Sequence, residues 1–442
     1  MTSGWFVPGR VEVFGKHTDY AGGRSLVCAV PRGITVNGQA ASGRRVTIED
    51  AAAGLCATIP IADAGPVHGW RQYPATVVRR LAANFPGIDL SAHITLSSDL
   101  PRAAGISSSS ALVIAIAETL IGLFRLEDHP AWCAAIRTPE DRAAYFGCIE
   151  NGAPFGMLTG DAGVGTSGGS EDHAAILMSR DGELRQFSFA PLTLTAAVTM
   201  PASWTFVVLS CGVSAHKAGR LRDQYNRLAF ETSALLGAWR EAHPGDLRSL
   251  GRLAADGDLA GWDPPPALRP RMEHFVAEDS RVALATDAFA RGDISALADL
   301  AAASQADADR LLRNQIDETR ALVALARDIG ARAASAFGAG WGGSVWALVS
   351  HAEAGGFLEE WLAAYRSRYP AHRSGGFVSP PSAGAHRVFH AALPQAVEDP
   401  TGHPSHPNSR TTEHPNSRTT EHPNIRTPEL PNPRSTELPN RR

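Results

Sequence analysis

Between Pro8 and Tyr20 the chain sets Arg10, Lys16, His17 and Asp19 among the glycines Gly9 and Gly15. Charged side chains are seldom fully buried unless they are paired or face a polar ligand. Two cations, an imidazole and a carboxylate this close together suit a pocket that binds something polar, and a sugar is the natural candidate. A second cluster, Leu100-Pro101-Arg102-Ala103-Ala104-Gly105-Ile106-Ser107-Ser108-Ser109-Ser110-Ala111-Leu112, passes directly into the apolar, alanine-rich run Leu112–Leu123. A helix start leaves backbone N–H groups unpaired and partly positive, so phosphate oxygens are favoured there, and serine hydroxyls add donors and a possible magnesium ligand. The same serines could instead simply cap a core helix. A third cluster, Phe337-Gly338-Ala339-Gly340-Trp341-Gly342-Gly343-Ser344, allows close backbone approach. It follows a helical pattern and opens a strand, the reverse of a dinucleotide fingerprint. With no GxxxxGK[ST] string and no HRD or DFG set, neither a P-loop nor a protein-kinase fold is expected.

These clusters must be held by regular elements. Runs of β type occur at Val11–Phe14, Phe206–Leu209 and Val345–Val349, and helical patterns cover Pro74–Phe85, Ser110–Leu126, Arg220–Trp239 and Gln305–Gly330. The mixture predicts an α+β architecture. The length of 442 residues, 44% hydrophobic and 19% charged, suffices for two ordinary domains. The chemistry-bearing clusters lie mostly early and the longer helices late, so the expected organisation is one lobe over 1–180, a second over 181–392 and a tail over 393–442. That tail repeats His406-Pro407-Asn408-Ser409-Arg410-Thr411-Thr412-Glu413 with drift and offers no apolar face to bury, which predicts disorder. Its evenly spread His406, His414 and His422 read as solvated rather than as a metal site.

A net charge of -4 gives no reason to expect nucleic acid or anionic membrane as partner. The five cysteines are widely spaced without a CxxC pair, which fits a reducing cytoplasm better than a disulfide framework or a zinc site. No run approaches the roughly 18 apolar residues of a membrane helix, and no leader pattern opens the chain. The expectation is a cytoplasmic protein that acts on small molecules.

The three clusters together resemble the signatures of the GHMP kinase superfamily, and within it those of the galactokinases. The first signature, GRVNLIGEHTDYNGG, stands here as Gly9 to Gly23. The second, PxGxGLSSSAAL, matches Pro101 to Leu112 with Ala103 in place of its first glycine, and the third, TGGGFGG, matches Phe337 to Gly343. Order and separation agree, and Trp70-Arg71-Gln72-Tyr73, Gly168 to His173 and Ser214-Ala215-His216-Lys217 look similar as well, so the resemblance spans residues 5 to about 350. It implies a two-lobed GHMP kinase fold, with a ribosomal S5 domain 2-like N-terminal lobe and a ferredoxin-like C-terminal lobe. It also implies transfer of the γ-phosphoryl group of ATP, with Mg2+, to the anomeric hydroxyl of galactose or a close relative, by a protein expected to be a monomer.

Carried over by position, Arg10 and Asp172 would be catalytic. Arg10 would stabilise charge spread over the phosphoryl oxygens, for which a planar, multi-donor guanidinium is suited. Asp172 would accept the sugar hydroxyl's proton. Glu171 could shift into the same register, and Asp161 lies in a stretch, Ala153–Gly163, that most galactokinases would lack. The resemblance assigns Pro101, Gly105, Ile106, Ser107, Ser108, Ser109, Ser110, Gly338 and Gly340 to ATP, Ser109 and Glu150 to magnesium, and His17, Asp19 and Tyr225 to the sugar. Lys16 stands where galactokinases carry a glutamate facing the C6 end of the sugar. It could point to solvent, pair with Glu12, or meet a C6 carboxylate, which would make the substrate a uronic acid such as galacturonate. A non-catalytic sensor that binds ATP and sugar is the rival from another class.

Overall fold

Along the first strand, β1 (Thr2–Phe14), valines alternate with polar groups: Val11 and Val13 are fully buried in the core, while Arg10 and Glu12 share the opposite face, as the two-residue strand period requires. This computed structural model describes residues 2–62, 67–101, 104–213 and 220–388. The repeat tail with His406, His414 and His422, Ala103 and the Ser214–Lys217 segment lie outside the described residues.

β1 pairs antiparallel with the long β2 (Arg24–Ala40), setting Arg10 opposite Ala29 and Glu12 opposite Val27. The remaining strands are β3 (Arg45–Asp50), β4 (Leu55–Pro60), β5 (Ala92–Ser98), β6 (Glu183–Phe189), β7 (Leu192–Thr199), β8 (Trp204–Ser210), β9 (Ala333–Ala336), β10 (Ser344–Ser350), β11 (Gly375–Ser379) and β12 (His386–Arg387). An eight-stranded sheet runs β12-β1-β2-β5-β3-β4, with β6 joined to β2 and β7 to β6, so strands from beyond residue 180 complete it. Among the described residues its one parallel pair is β3 with β5. A second, antiparallel sheet runs β11-β8-β10-β9. The mixed, largely antiparallel sheets with helices packed on them are the α+β architecture expected.

The helices are α1 (Gln72–Asn84), α2 (Ser108–Phe124), α3 (Pro130–Ala135), α4 (Pro139–Asn151), α5 (Glu171–Met178), α6 (Arg220–Ala242), α7 (Leu250–Asp256), α8 (Arg269–Arg291), α9 (Ile294–Asp307), α10 (Asp317–Ile329) and α11 (Ala354–Arg368). α2 is buried almost all round, from Val113 to Ile121, and packs on β1 and β2. A helix apolar on every side belongs in the interior, and this one drives its serine-rich start into the centre of the molecule.

One expected element is corrected. The pattern over Gln305–Gly330 is not one helix but α9, a wide turn at Ala308–Leu312 and α10, separated where Arg313 takes a left-handed φ of 54°. The break inserts the buried polar pair Asn314 and Gln315. Asn314 then reaches His17 Nε2 at 3.3 Å, a tertiary contact that helical periodicity cannot show.

Candidate functional site

The three sequence clusters converge. Gly9 lies where a side chain would strike the Ile106 carbonyl, at 2.7 Å from a Cβ, and its bareness lets the serine loop close onto β1. The Arg10 backbone N–H donates to that carbonyl at 3.2 Å. Arg10 Nη1 donates to the Gly105 carbonyl at 2.8 Å, and its guanidinium lies 5.7 Å from the centre of the Phe337 ring. Its Nε meets Asp172 Oδ1, from 162 residues away in sequence, at 2.8 Å. Burial opposes the charge on Arg10, but Asp172, Glu171 and Glu12 more than offset it and raise its pKa.

Asp172 sits in the first turn of α5, where the helix dipole favours a carboxylate. Its other oxygen accepts from Ser110 Oγ at 3.2 Å. The same hydroxyl donates to Glu150 Oε2 at 2.8 Å, and His173 Nε2 lies 3.2 Å from that oxygen. Magnesium was expected at Ser109 with Glu150, but the hydroxyl that meets Glu150 is that of Ser110. Ser109 turns the other way, hydrogen-bonded to Tyr73. One residue along a helix rotates a side chain by about 100°, which suffices for this change of partner.

The two neighbours that competed with Asp172 have other partners, although Glu171 lines the same cavity. Glu171 is buried and accepts from Ser25 Oγ at 2.5 Å, with Arg10 at 3.7 Å. Burial, then Glu12 and Asp19, push its carboxyl well above the usual range. Asp161 is paired with Arg79 at 2.7 Å and Arg80 at 3.5 Å on α1, so the inserted stretch is tied to that helix.

Two cavities meet at Arg10, Asp172 and Ala339. The smaller, about 50 Å3, is polar and is lined by Glu12, His17, Asp19, Glu150, Glu171 and Tyr225 among others. His17, at a left-handed φ of 58°, is held between Tyr20 Oη and the Ala339 carbonyl, each at 3.1 Å. Asp19 accepts the Glu171 N–H at 3.3 Å, and Tyr225 lies against the His17 ring at 5.7 Å between centres. The larger, about 400 Å3, is an apolar slot of Ile34, Ile48, Leu55, Trp70, Leu96 and Leu112 that ends on Gly105, Ser107, Ser108 and Ser109. Ser107, at a left-handed φ of 60° just before α2, buries its hydroxyl without a hydrogen-bond partner.

Of the other residues assigned to ATP, Pro101 is half-buried at the head of the loop and Ile106 is buried in the core, and neither lines either of these two cavities. Gly338 lines the polar cavity and donates its N–H to Glu12 Oε2 at 3.2 Å. Gly340 lines neither; a Cβ there would come within 2.5 Å of the Asn314 carbonyl, so its role is packing.

Lys16 departs most from expectation. It is 1% exposed and lines neither cavity. Its Nζ donates to Ser304 Oγ at 2.6 Å and Ser335 Oγ at 3.0 Å, and Ser304 passes on to Glu278 Oε1 at 2.9 Å. Glu278 also accepts the Gly15 and Lys16 N–H groups and is paired with Arg281 at 3.0 Å. Lys16 thus points neither to solvent nor into the polar cavity, and the substitution at this position no longer argues for a uronic acid substrate. Among the pocket residues that the sequence reading did not place there are Glu12, Asn151 and Thr166. Glu12 had a signal: two residues from Arg10 on one strand puts it on the same face.

Comparison with known proteins agrees with this geometry. The galactokinase galactose-binding signature matches residues 2–39, the GHMP kinases N terminal domain residues 72–144 and the GHMP kinases C terminal domain residues 285–367. A galactokinase of Roseiflexus sp. is 28% identical over 399 residues, covering 88% of this chain and 93% of its own. One from Exiguobacterium sibiricum is 27% identical over 398 residues, covering 84% and 90%. In fold, the chain is similar to the galactokinase of Lactococcus lactis complexed with galactose, at a TM-score of 0.71 and 22% identity over 88% of this chain and 95% of that one. A mevalonate kinase follows at 0.54 and 13%, over 86% and 98%.

Proposed function

We propose that this chain, which belongs to the GHMP kinase superfamily and to its galactokinase family, transfers the γ-phosphoryl group of ATP to the anomeric hydroxyl of galactose. The observation that carries the reading is the junction at Arg10 and Asp172: an apolar slot ending on a helix start and a polar pocket share these two residues. The slot suits a nucleotide base. The unpaired N–H groups of α2, and the orphaned Ser107 hydroxyl, suit its phosphates. The polar pocket suits a sugar, which must part its walls on entry because the pocket is small as it stands.

In this arrangement Asp172 takes the proton of the sugar hydroxyl while that oxygen bonds to the γ-phosphorus and the bond to the ADP oxygen breaks. Arg10, fixed by Asp172, Gly105 and Phe337, stabilises the charge that spreads over the transferring oxygens. Glu150, Ser110 and Asp172 form a chain of oxygen donors that fits a hard divalent cation, with Ser109 on the nucleotide side. Magnesium held there would neutralise phosphate charge. His17, Asp19 and Tyr225 bind the sugar. We read the lobes as following the two sheets rather than a cut at residue 180, because β6, β7 and β12 complete the first sheet. We place the protein in the cytoplasm as a monomer; its five cysteines are unpaired, and among the described residues no helix is long and apolar enough to cross a membrane.

A coupled assay of ADP release with galactose, and phosphorus NMR of the product, tests the reading. Galactose 1-phosphate should form, and Asp172→Asn should lower kcat by roughly 10²- to 10⁴-fold while still binding galactose. Binding of ATP and galactose without any ADP would instead favour the sensor.

A further inference from the structure

The turn that carries His17 and Tyr20 is gripped by α8, far along the chain. Glu278 Oε1 accepts the Gly15 and Lys16 N–H groups at 3.0 and 3.3 Å, and Asp279 Oδ1 accepts the Arg24 N–H at 2.8 Å. About two helical turns before Glu278, and so on the same face of α8, stands Arg271, a buried cation only 2% exposed. Its Nη2 donates to the His17 carbonyl and, at 3.0 Å, to Tyr20 Oη. Its guanidinium lies 5.8 Å from the centre of the Tyr20 ring, within cation–π range. Nη1 lies 2.7 Å from His274 Nδ1; a guanidinium only donates, so that nitrogen accepts and His274 is neutral. Burial first, and then Arg271, hold the pKa of His274 well below its ordinary value, in agreement. Taking such a cation out of water is costly, and the contacts that offset the cost are made to two residues that line the polar cavity.

The partners of the His17 ring fix the order of its protons. Nε2 faces the Ala339 carbonyl at 3.1 Å, and a carbonyl only accepts, so Nε2 carries a proton. The Asn314 amide donates to the same carbonyl at 3.4 Å beside it. At the other ring nitrogen, Tyr20 Oη lies 3.1 Å from Nδ1. Because that oxygen already accepts from Arg271, its own proton is directed to Nδ1. The chain of donors thus runs from Arg271 through Tyr20 and His17 to Ala339, where the two cavities meet. His17 also holds a left-handed φ of 58°, a conformation that a residue with a Cβ keeps only where its surroundings enforce it. We infer that Arg271 is a positioning residue of the sugar site, which holds His17 in the tautomer protonated on Nε2 by way of Tyr20, and holds the left-handed turn by way of the His17 carbonyl. Arg271 itself lines neither of the two cavities, so it acts through these two residues. A wall fixed before the sugar arrives spares the sugar the cost of ordering it. The inference rests on the kinase reading above for what that wall binds.

The test uses the full chain and measures ADP release, calorimetric Kd for galactose and for ATP, and nitrogen NMR of histidine-labelled protein, with the His17 signals identified by their loss in His17→Gln. In the wild type the His17 proton should sit on Nε2, with Nδ1 bare. Arg271→Lys keeps the charge but replaces the fork by a single point donor that cannot span the His17 carbonyl, Tyr20 and His274 together. The galactose KM and Kd should rise by roughly tenfold, kcat and the ATP Kd should stay within about threefold, and the Nδ1 signal should move. Tyr20→Phe removes only the hydroxyl between the two and should act in the same direction, and the double variant should cost less than the sum of the single ones because both break one chain. Three results overturn the proposal: a wild-type spectrum with a proton on His17 Nδ1, a folded Arg271→Lys whose galactose Kd stays within about twofold of wild type, or galactose and ATP affinities that fall together with the thermal midpoint, as a merely structural role requires. Should Arg271→Lys fail to fold, an unmoved His17 signal in Tyr20→Phe overturns it instead. If no ADP forms in the wild type while galactose binding and the His17 signals respond as stated, the kinase reading fails and the role of Arg271 stands.

Discussion

Two buried cations six positions apart, Arg10 on β1 and Lys16 in the turn that follows it, sit in opposite kinds of surroundings. Arg10 lies where the two cavities join, with Asp172 at 2.8 Å and the Gly105 carbonyl at 2.8 Å, and its charge faces the space that a ligand would enter. Lys16 is enclosed by Ser304, Ser335 and the Glu278 network, with no face on either cavity. Charge and burial alone do not mark a functional residue. What distinguishes them is whether the partners complete the group's valences within the protein or leave a direction open to a ligand.

The comparison would break most sharply at Lys16. Lys16→Glu would bring a second carboxylate against buried Glu278 in place of its cation, and breaking a buried charge pair costs about 3–5 kcal/mol. A large fall in the denaturation midpoint is expected. A near-normal midpoint combined with a changed sugar preference would return Lys16 to the pocket. Arg10→Lys, by contrast, keeps the charge but loses the planar fork that reaches Asp172 and Gly105 together. It should lower kcat by roughly 10²- to 10³-fold with a far smaller change in thermal midpoint. Comparable losses of stability in both variants would erase the distinction.

Between the two cations stands Glu12, and neither fully neutralises it. Burial pushes its carboxyl up to about 7, with Glu278 and Asp172 adding to the rise and Arg10 and Lys16 opposing it. Its value in the unfolded chain is near 4.5. The folded chain therefore holds a proton that the unfolded chain releases between pH 4.5 and 7, so this contribution to stability is full below 4.5 and is lost as the pH rises through 7. The slope is at most about 1.4 kcal/mol per pH unit. In Glu12→Gln this loss should vanish, so urea midpoints of the variant should gain on the wild type across that window; parallel curves would show that Glu12 does not hold a proton there.

Much of the chemistry was legible as residue type and order. Gly9 to Gly23, Pro101 to Leu112 and Phe337 to Gly343 each carry a local requirement, whether a turn, a helix start or a close backbone approach, that short spacing expresses directly. Asp172 was likewise reachable by its place in a short motif, and the apolar run after Ser110 announced α2. These features are set by neighbours within a few residues, where propensity and sequence pattern act.

Direction was not legible. Whether Ser109 or Ser110 meets Glu150, whether Lys16 faces a ligand or Glu278, and where the pattern after Gln305 breaks to deliver Asn314 to His17 all depend on groups tens to hundreds of positions away. A rotation of one residue on a helix, or one side of a strand against the other, decides which partner a side chain meets, and only packing fixes that choice. By itself the sequence determined which groups exist and roughly which element carries them. The tertiary structure decided which of them are completed by the protein and which remain open to a substrate, because burial makes an unmet charge or hydrogen bond costly and so forces each group either into a partner or toward a ligand.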